Sequence, residues 1–192
     1  VLSQYSRQRN HLQDQTMQTL VRAIEIRDPY LAGHHQRLAK TALTIAKDMD
    51  LDAQQRSTLF YAAQMSGIGM IFVPQEILTK PGKLTAPERK KLQEHVKHAK
   101  TVLDGVEFDL EIEPVITQMH ERLDGSGYPK KLKGDRIDLL AQILGVADVY
   151  CALTSPRIYR KGMKHQEALE ILNKDAKAFN ADAVKALSKL AK

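Results

Sequence analysis

The chain has 192 residues, 43% hydrophobic and 27% charged, and its 29 Lys and Arg against 23 Asp and Glu give a net charge of +6. That length suits one domain, or one domain with a helical extension, and can bury a substantial core. A single cysteine, Cys151, excludes a disulfide scaffold, and the most apolar run, Leu139 to Tyr150, is broken by Gln142 and Asp148, well short of the ~20 residues of a membrane helix. With no Trp, 5% aromatics and no binding motif, nucleic acid is disfavoured as a partner. No targeting segment is visible, so a reducing, cytoplasmic setting is expected, and a chain that starts at Val1 is expected to be a piece of a longer one.

The apolar pattern is helical from end to end. Leu12, Met17, Leu20, Val21 and Ile24 mark one side of a long first helix that ends near Asp28-Pro29. Its polar beginning reads as an interdomain helix, so residues 1–24 are assigned as a linker and 25–192 as the domain. Leu38, Ala42, Ile45, Ala46 and Met49 form the stripe of a second helix. Asp52 to Gln55 has the spacing of a capping box that opens a third, which carries Leu59, Phe60 and Ala63.

The helical pattern fails between Ser66 and Lys83, where Gly67, Gly69, Pro74, Pro81 and Gly82 gather. Thr85-Ala86-Pro87-Glu88 restarts it with a second capping box, ahead of Leu92, His95, Val96, Ala99, Val102 and Leu103. Further helices are predicted at Ile112–His120, Leu139–Leu153, His165–Asn173 and Ala181–Leu190, with a loop from Asp124 to Gly134. No run alternates for long enough to make a strand, so the predicted class is all-α.

Charge is concentrated between Glu121 and Lys164, where nine basic residues (Arg122, Lys130, Lys131, Lys133, Arg136, Arg157, Arg160, Lys161 and Lys164) face five acids. Such a run is either a solvated surface or a site that attracts phosphate. Seven histidines are scattered along the chain, and imidazoles and carboxylates from several helices are the usual material of a metal site inside a bundle. Spacing alone does not gather them.

The loop Glu121-Arg122-Leu123-Asp124-Gly125-Ser126-Gly127-Tyr128-Pro129 is more specific. Together with Arg27 to His34, Ile77 to Thr85, His95 and Val146 to Ser155, it resembles the HD-GYP family, bacterial signalling domains that hydrolyse cyclic di-GMP at a two- or three-metal site. The resemblance runs from about Glu25 to Arg160 and implies an HD-domain helical bundle with additional C-terminal helices. It also implies metal ligands at His34, His95, His120 and Asp148.

The departures from the family are concentrated in its chemistry. Where the family has a His-Asp doublet followed by a lysine, this chain has Ser66, Gly67 and Met70; where it has paired histidines, this chain has Met119-His120; and Tyr30 stands where some members have a glutamate ligand. A bridging carboxylate that holds two cations cannot be replaced by glycine, and a thioether is a poor donor among oxygen and nitrogen ligands. The expectation is a degenerate domain that holds no metal, or a single divalent ion such as iron or manganese, with no dinuclear centre. His35, His98, Gln64 and Glu121 are conceivable replacement ligands, though each reads more simply as a surface or supporting residue.

The retained loop then reads as a binding surface formed by Arg122, Asp124, Gly125, Gly127, Tyr128, Pro129, Lys130 and Lys131, with Arg157 and Arg160. Its expected partner is a protein such as a GGDEF-type or other signalling domain, and cyclic di-GMP is a second candidate. Two competing readings are an active metal-dependent phosphodiesterase built on the four residual ligands, and a homodimer paired through the N-terminal helix.

Overall fold

The computed structural model describes residues 2–27, 31–104, 109–156 and 161–190, so Tyr30, Arg157 and Arg160 lie outside it. Among the described residues the regular structure is entirely helical: α1 (Leu2–Arg27), α2 (His34–Asp48), α3 (Ala53–Met65), α4 (Gln75–Leu78), α5 (Ala86–Gln93), α6 (His95–Leu103), α7 (Ile112–Gln118), α8 (Leu139–Thr154), α9 (His165–Lys174) and α10 (Ala181–Ser188). Short 3-10 turns lie at Ile68–Phe72 and Gly134–Arg136. The all-α expectation holds, and no helix among these residues is long and apolar enough to cross a membrane.

At the centre α2 packs against α3 on one side and α8 on the other. Leu38, Ala42 and Ile45 of α2, Leu59 of α3 and Ile143 and Leu144 of α8 meet there, all of them fully buried. Each large aliphatic side chain withdrawn from water in this way contributes about 1.5–3 kcal/mol. The additional C-terminal helices close the far side, with Leu172 of α9 and Leu187 of α10 fully buried in the same core. The last turns of α1 join it too: Val21 and Ile24 are buried, while Leu20 remains exposed.

Both predicted capping boxes are present. The Asp52 carboxylate accepts the Gln55 N–H at 2.8 Å, and the Gln55 side chain accepts the Asp52 N–H at 3.0 Å. Thr85 and Glu88 close the second box, with Pro87 in the first turn of α5.

Two segments differ from the sequence expectation. The stretch after Ser66 is not plain loop but a 3-10 turn and the short α4. The single helix expected from Thr85 to Leu103 is divided at Glu94, because the His95 ring bonds the Leu92 carbonyl at 2.6 Å and so competes with the helix for that acceptor. The 3-10 turn rests directly on α6: a Cβ on Gly69 would lie 1.9 Å from the His95 carbonyl oxygen, so only glycine permits this approach.

Candidate functional site

α2 begins at the site. Gly33 adopts φ +67°, in the left-handed region that favours glycine, and its N–H donates to Glu25 Oε2 at 3.1 Å. This turn sets His34 and His35 on the first turn of α2. His34 Nε2 lies 3.3 Å from Asp148 Oδ1, contributed by α8. The start of α8 is fixed by Asp138, whose side chain accepts the N–H groups of Leu140 and Ala141.

A second pair stands across the cavity. His95 Nε2 and His120 Nε2 are 3.2 Å apart. Because the Leu92 carbonyl can only accept, the His95 Nδ1 bonded to it carries the proton, and Nε2 keeps its lone pair. The contact then has His120 Nε2–H donating. Tyr128 stacks on the outer face of His120, with ring centroids 5.0 Å apart and planes 8° from parallel.

These four residues line one cavity of about 160 Å³, together with Leu31, His35, Ser66, Gly67, Met70, Met119 and Ala152. The structure therefore brings together all four predicted ligands and four of the five substituted positions, the fifth, Tyr30, lying outside the described residues. Ser66 Oγ–H is turned away to the Ala63 carbonyl at 2.9 Å, and Met119 is buried in the core cluster.

Burial fixes the protonation of the imidazoles. Loss of solvent lowers the pKa of His95, partly opposed by its bond to the Leu92 carbonyl. The same cause, joined by the neighbouring His95, takes His120 down to about 3. Both rings are therefore neutral near pH 7. Burial works to raise the Asp148 carboxyl, but the hydrogen bond from His34, with the nearby Arg122 charge, outweighs it and holds the group below the ordinary carboxylate value. Tyr128 is pushed up to about 12 by burial and by the Asp148 charge, so it stays a neutral phenol.

The retained loop is braced from beneath. The buried Glu121 carboxylate accepts the Lys130 N–H at 2.6 Å and the Leu132 N–H at 3.0 Å. Gly127 passes so close to Glu121 that a Cβ there would lie 2.5 Å from the Glu121 Cα, and its backbone admits no side chain. Gly125 takes φ +83°, Asp124 accepts the Ser126 N–H at 2.9 Å, and the Tyr128–Pro129 peptide bond is cis. Arg122 points inward, donating to the Met119 and Glu121 carbonyls at 3.2 and 2.8 Å with its guanidinium 5.0 Å from the Phe179 ring centre. It ties the loop to the C-terminal helices. Asp124, Pro129, Lys130, Lys131, Lys133 and Arg136 lie outside the cavity, and all six are exposed.

The donors test differently against one cation and against two. Separations of 3.2 Å between two imidazole nitrogens and 3.3 Å between an imidazole and a carboxylate are those of neighbouring ligands on one ion, since bonds of about 2.1 Å give edges of about 3 Å. His95 is also oriented through its other nitrogen, as metal-binding histidines are. In kind and spacing each pair suits a single divalent ion, although among the described residues no three His, Cys, Asp or Glu are gathered as a metal-holding group. For a second cation, position 67 offers no bridging carboxylate, and a Cβ there would lie 2.5 Å from His35 Nε2.

The sequence does not single out the partnership of Glu25 with His35. His35 Nδ1 lies 3.0 Å from Glu25 Oε1, and the ring is almost fully buried against Gly67. The one available signal is two adjacent histidines after a glycine. Of the other conceivable replacement ligands, His98 stacks on Phe72 with centroids 4.9 Å apart, and both Glu121 oxygens are taken by backbone N–H groups.

Comparison with known proteins agrees with this layout. A 3'3'-cGAMP-specific phosphodiesterase of Vibrio cholerae is 32% identical over 164 residues, 85% of this chain and 38% of that protein. A cyclic di-GMP phosphodiesterase response regulator of Xanthomonas campestris pv. campestris is 35% identical over 160 residues, 82% of this chain and 42% of that protein. The chain thus spans about two-fifths of these relatives.

Among solved structures, an HDG"Y"P protein from Bdellovibrio bacteriovorus superposes with a TM-score of 0.68 at 21% identity, over 82% of this chain and 51% of that one. A cyclic GMP-AMP-specific phosphodiesterase of Vibrio cholerae superposes with a TM-score of 0.58 at 27% identity, over 92% of this chain and 41% of that one. The pattern of the HD domain family itself matches residues 18–183, and the chain belongs to that family.

Proposed function

We propose that this chain is a degenerate HD-GYP-type signalling domain that does not hydrolyse cyclic di-GMP and acts by binding. The observation that carries this reading is the wall Ser66-Gly67-Met70-Met119, which lines the cavity at the positions of a His-Asp doublet, a lysine and a histidine and supplies none of their chemistry. A dinuclear site serves hydrolysis by clamping the phosphate and generating a hydroxide near neutral pH. The residues lining the cavity provide imidazoles, one carboxylate and no Lys or Arg side chain.

The binding surface is the outer side of the braced loop up to Pro129, where Arg122 is turned inward, with its exposed neighbours Lys130, Lys131, Lys133 and Arg136. It is held rigid by Glu121 and presents positive charge outward, which suits an acidic face on a partner signalling domain of the GGDEF type, and secondarily the phosphates of cyclic di-GMP. The first turns of α1 then serve as the connection to further domains, and the setting is cytoplasmic.

The test is incubation of the purified domain with cyclic di-GMP and added manganese or iron. No turnover above the metal-only control is expected, while saturable hydrolysis would sink the reading. A second reading, a metal-dependent phosphodiesterase with one cation, rests on the His95–His120 and His34–Asp148 separations. It requires one tightly held metal ion that is lost on His120→Ala or Asp148→Ala.

A further inference from the structure

The cavity holds one arrangement that erosion of a metal site does not by itself explain. Position 67 lies on the cavity wall with φ −88° and ψ 0°, turn angles that residues other than glycine also adopt. Nothing in its own conformation asks for glycine. The constraint comes from a neighbour: a Cβ at residue 67 would lie 2.5 Å from His35 Nε2 and 3.1 Å from His35 Cε1, with Ile24 Cγ2 at 3.4 Å.

His35 has little freedom to give way. Its Nδ1 is bonded to Glu25 Oε1 at 3.0 Å, and Glu25 is itself anchored through Oε2 to the Gly33 N–H at 3.1 Å. The ring is 1% exposed and meets His34 edge to face at 5.4 Å. It is wedged between a fixed carboxylate and a backbone that lacks a side chain.

We infer that His35, locked by Glu25, stands in for the side chain missing at position 67: the imidazole and a carboxylate at 67 exclude one another, so the protein's own ring closes the cavity to a second cation. The pocket is repacked rather than merely stripped. The inference rests on the reading that position 67 has lost a ligand, and it deepens it. Restoring the lost residues one by one does not rebuild a two-cation centre while His35 is present; exchange at 35 and 67 has to be paired.

The experiment is a double-mutant cycle on the chain, read by melting temperature. Gly67→Ala is the mild probe, adding only the atom that collides, and it is expected to lower Tm by roughly 3 °C or more. In the His35→Ala background the same substitution is expected to cost less than half as much, because the colliding ring is gone. Equal losses in the two backgrounds would overturn the inference.

The second arm measures metal content. Ser66→His, Gly67→Asp and Met119→His are introduced together, with and without His35→Ala, and manganese retained per chain is determined after gel filtration. The version lacking His35 is expected to retain more; equal retention overturns the inference, which requires both arms to succeed. Neither arm measures turnover by the natural chain, the result on which the proposed function stands or falls.

Discussion

The Tyr128 ring lies flat on the His120 ring, 5.0 Å from centre to centre and 8° from parallel, and the Tyr128 backbone N–H donates to the His120 carbonyl at 3.2 Å. The loop and the cavity are therefore one mechanical unit, joined at a single residue by stacking and by a backbone bond.

Replacing Tyr128 with Leu keeps apolar bulk but removes the aromatic face. A loss of about 1 kcal/mol is expected, and a fall in Tm of about 2–4 °C. Histidine NMR spectra will show His120, rather than His34, as the resonance displaced. An unchanged His120 signal would refute the coupling.

Glu121 is a buried carboxylate with both oxygens used by the loop backbone. Glu121→Ala leaves two N–H groups without their acceptor and is expected to cost about 2–4 kcal/mol in urea denaturation. Glu121→Gln keeps one acceptor oxygen and is expected to lose less. Protease nicking between Asp124 and Gly134 should rise in the same order.

The second capping box makes stability depend on acid. Glu88 accepts from Lys80 Nζ at 2.7 Å and from the Thr85 N–H at 2.8 Å, and with the Lys80 bond as the largest cause its carboxyl is lowered to about 2. A lowered carboxylate contributes stability that is complete above the unfolded value of 4.5 and disappears as pH falls through the folded value of about 2. Between pH 5 and 2 (about the span of the two values), Tm of the Glu88→Gln variant is therefore expected to fall less steeply than that of the natural chain. Parallel melting curves against pH would refute this.

The outward charge is separable from the fold. Lys130, Lys131, Lys133 and Arg136 are all exposed, but the Lys133 stem also lies so close to Gly125 that a Cβ there would be 2.5 Å from it, so Lys133 has a part in the loop's packing. Changing Lys130, Lys131 and Arg136 to Gln is expected to weaken binding of an acidic partner roughly tenfold at low salt, with the difference shrinking as salt screens the charges. Isothermal titration at two salt concentrations measures both effects. A salt-independent affinity would rule out the charge mechanism.

Much of this fold is legible in the sequence because its signals are local. The capping boxes at Asp52 and Thr85 and the glycine- and proline-rich break after Ser66 each lie within a few residues of what they determine. The division at Glu94 is hidden because it depends on the His95 ring reaching back to Leu92, which hydrophobic periodicity does not register. The four candidate ligands are legible only through resemblance, since they come from separate parts of the chain and their spacing has no helical meaning. The pairing of His35 with Gly67 is illegible for a further reason: 32 positions of sequence separate the two, and what links them is an absent side chain whose room another fills.

The contact between Gly69 and the His95 carbonyl carries a broader consequence. The turn that carries Met70 is fastened by its main chain to the helix that carries His95. Contact with the pocket and support of the fold thus rest on different atoms of the same five-residue turn, Ile68–Phe72: the Met70 side chain lines the cavity while the Gly69 backbone rests on α6, and this scaffolding role holds whether or not the pocket cuts a phosphodiester.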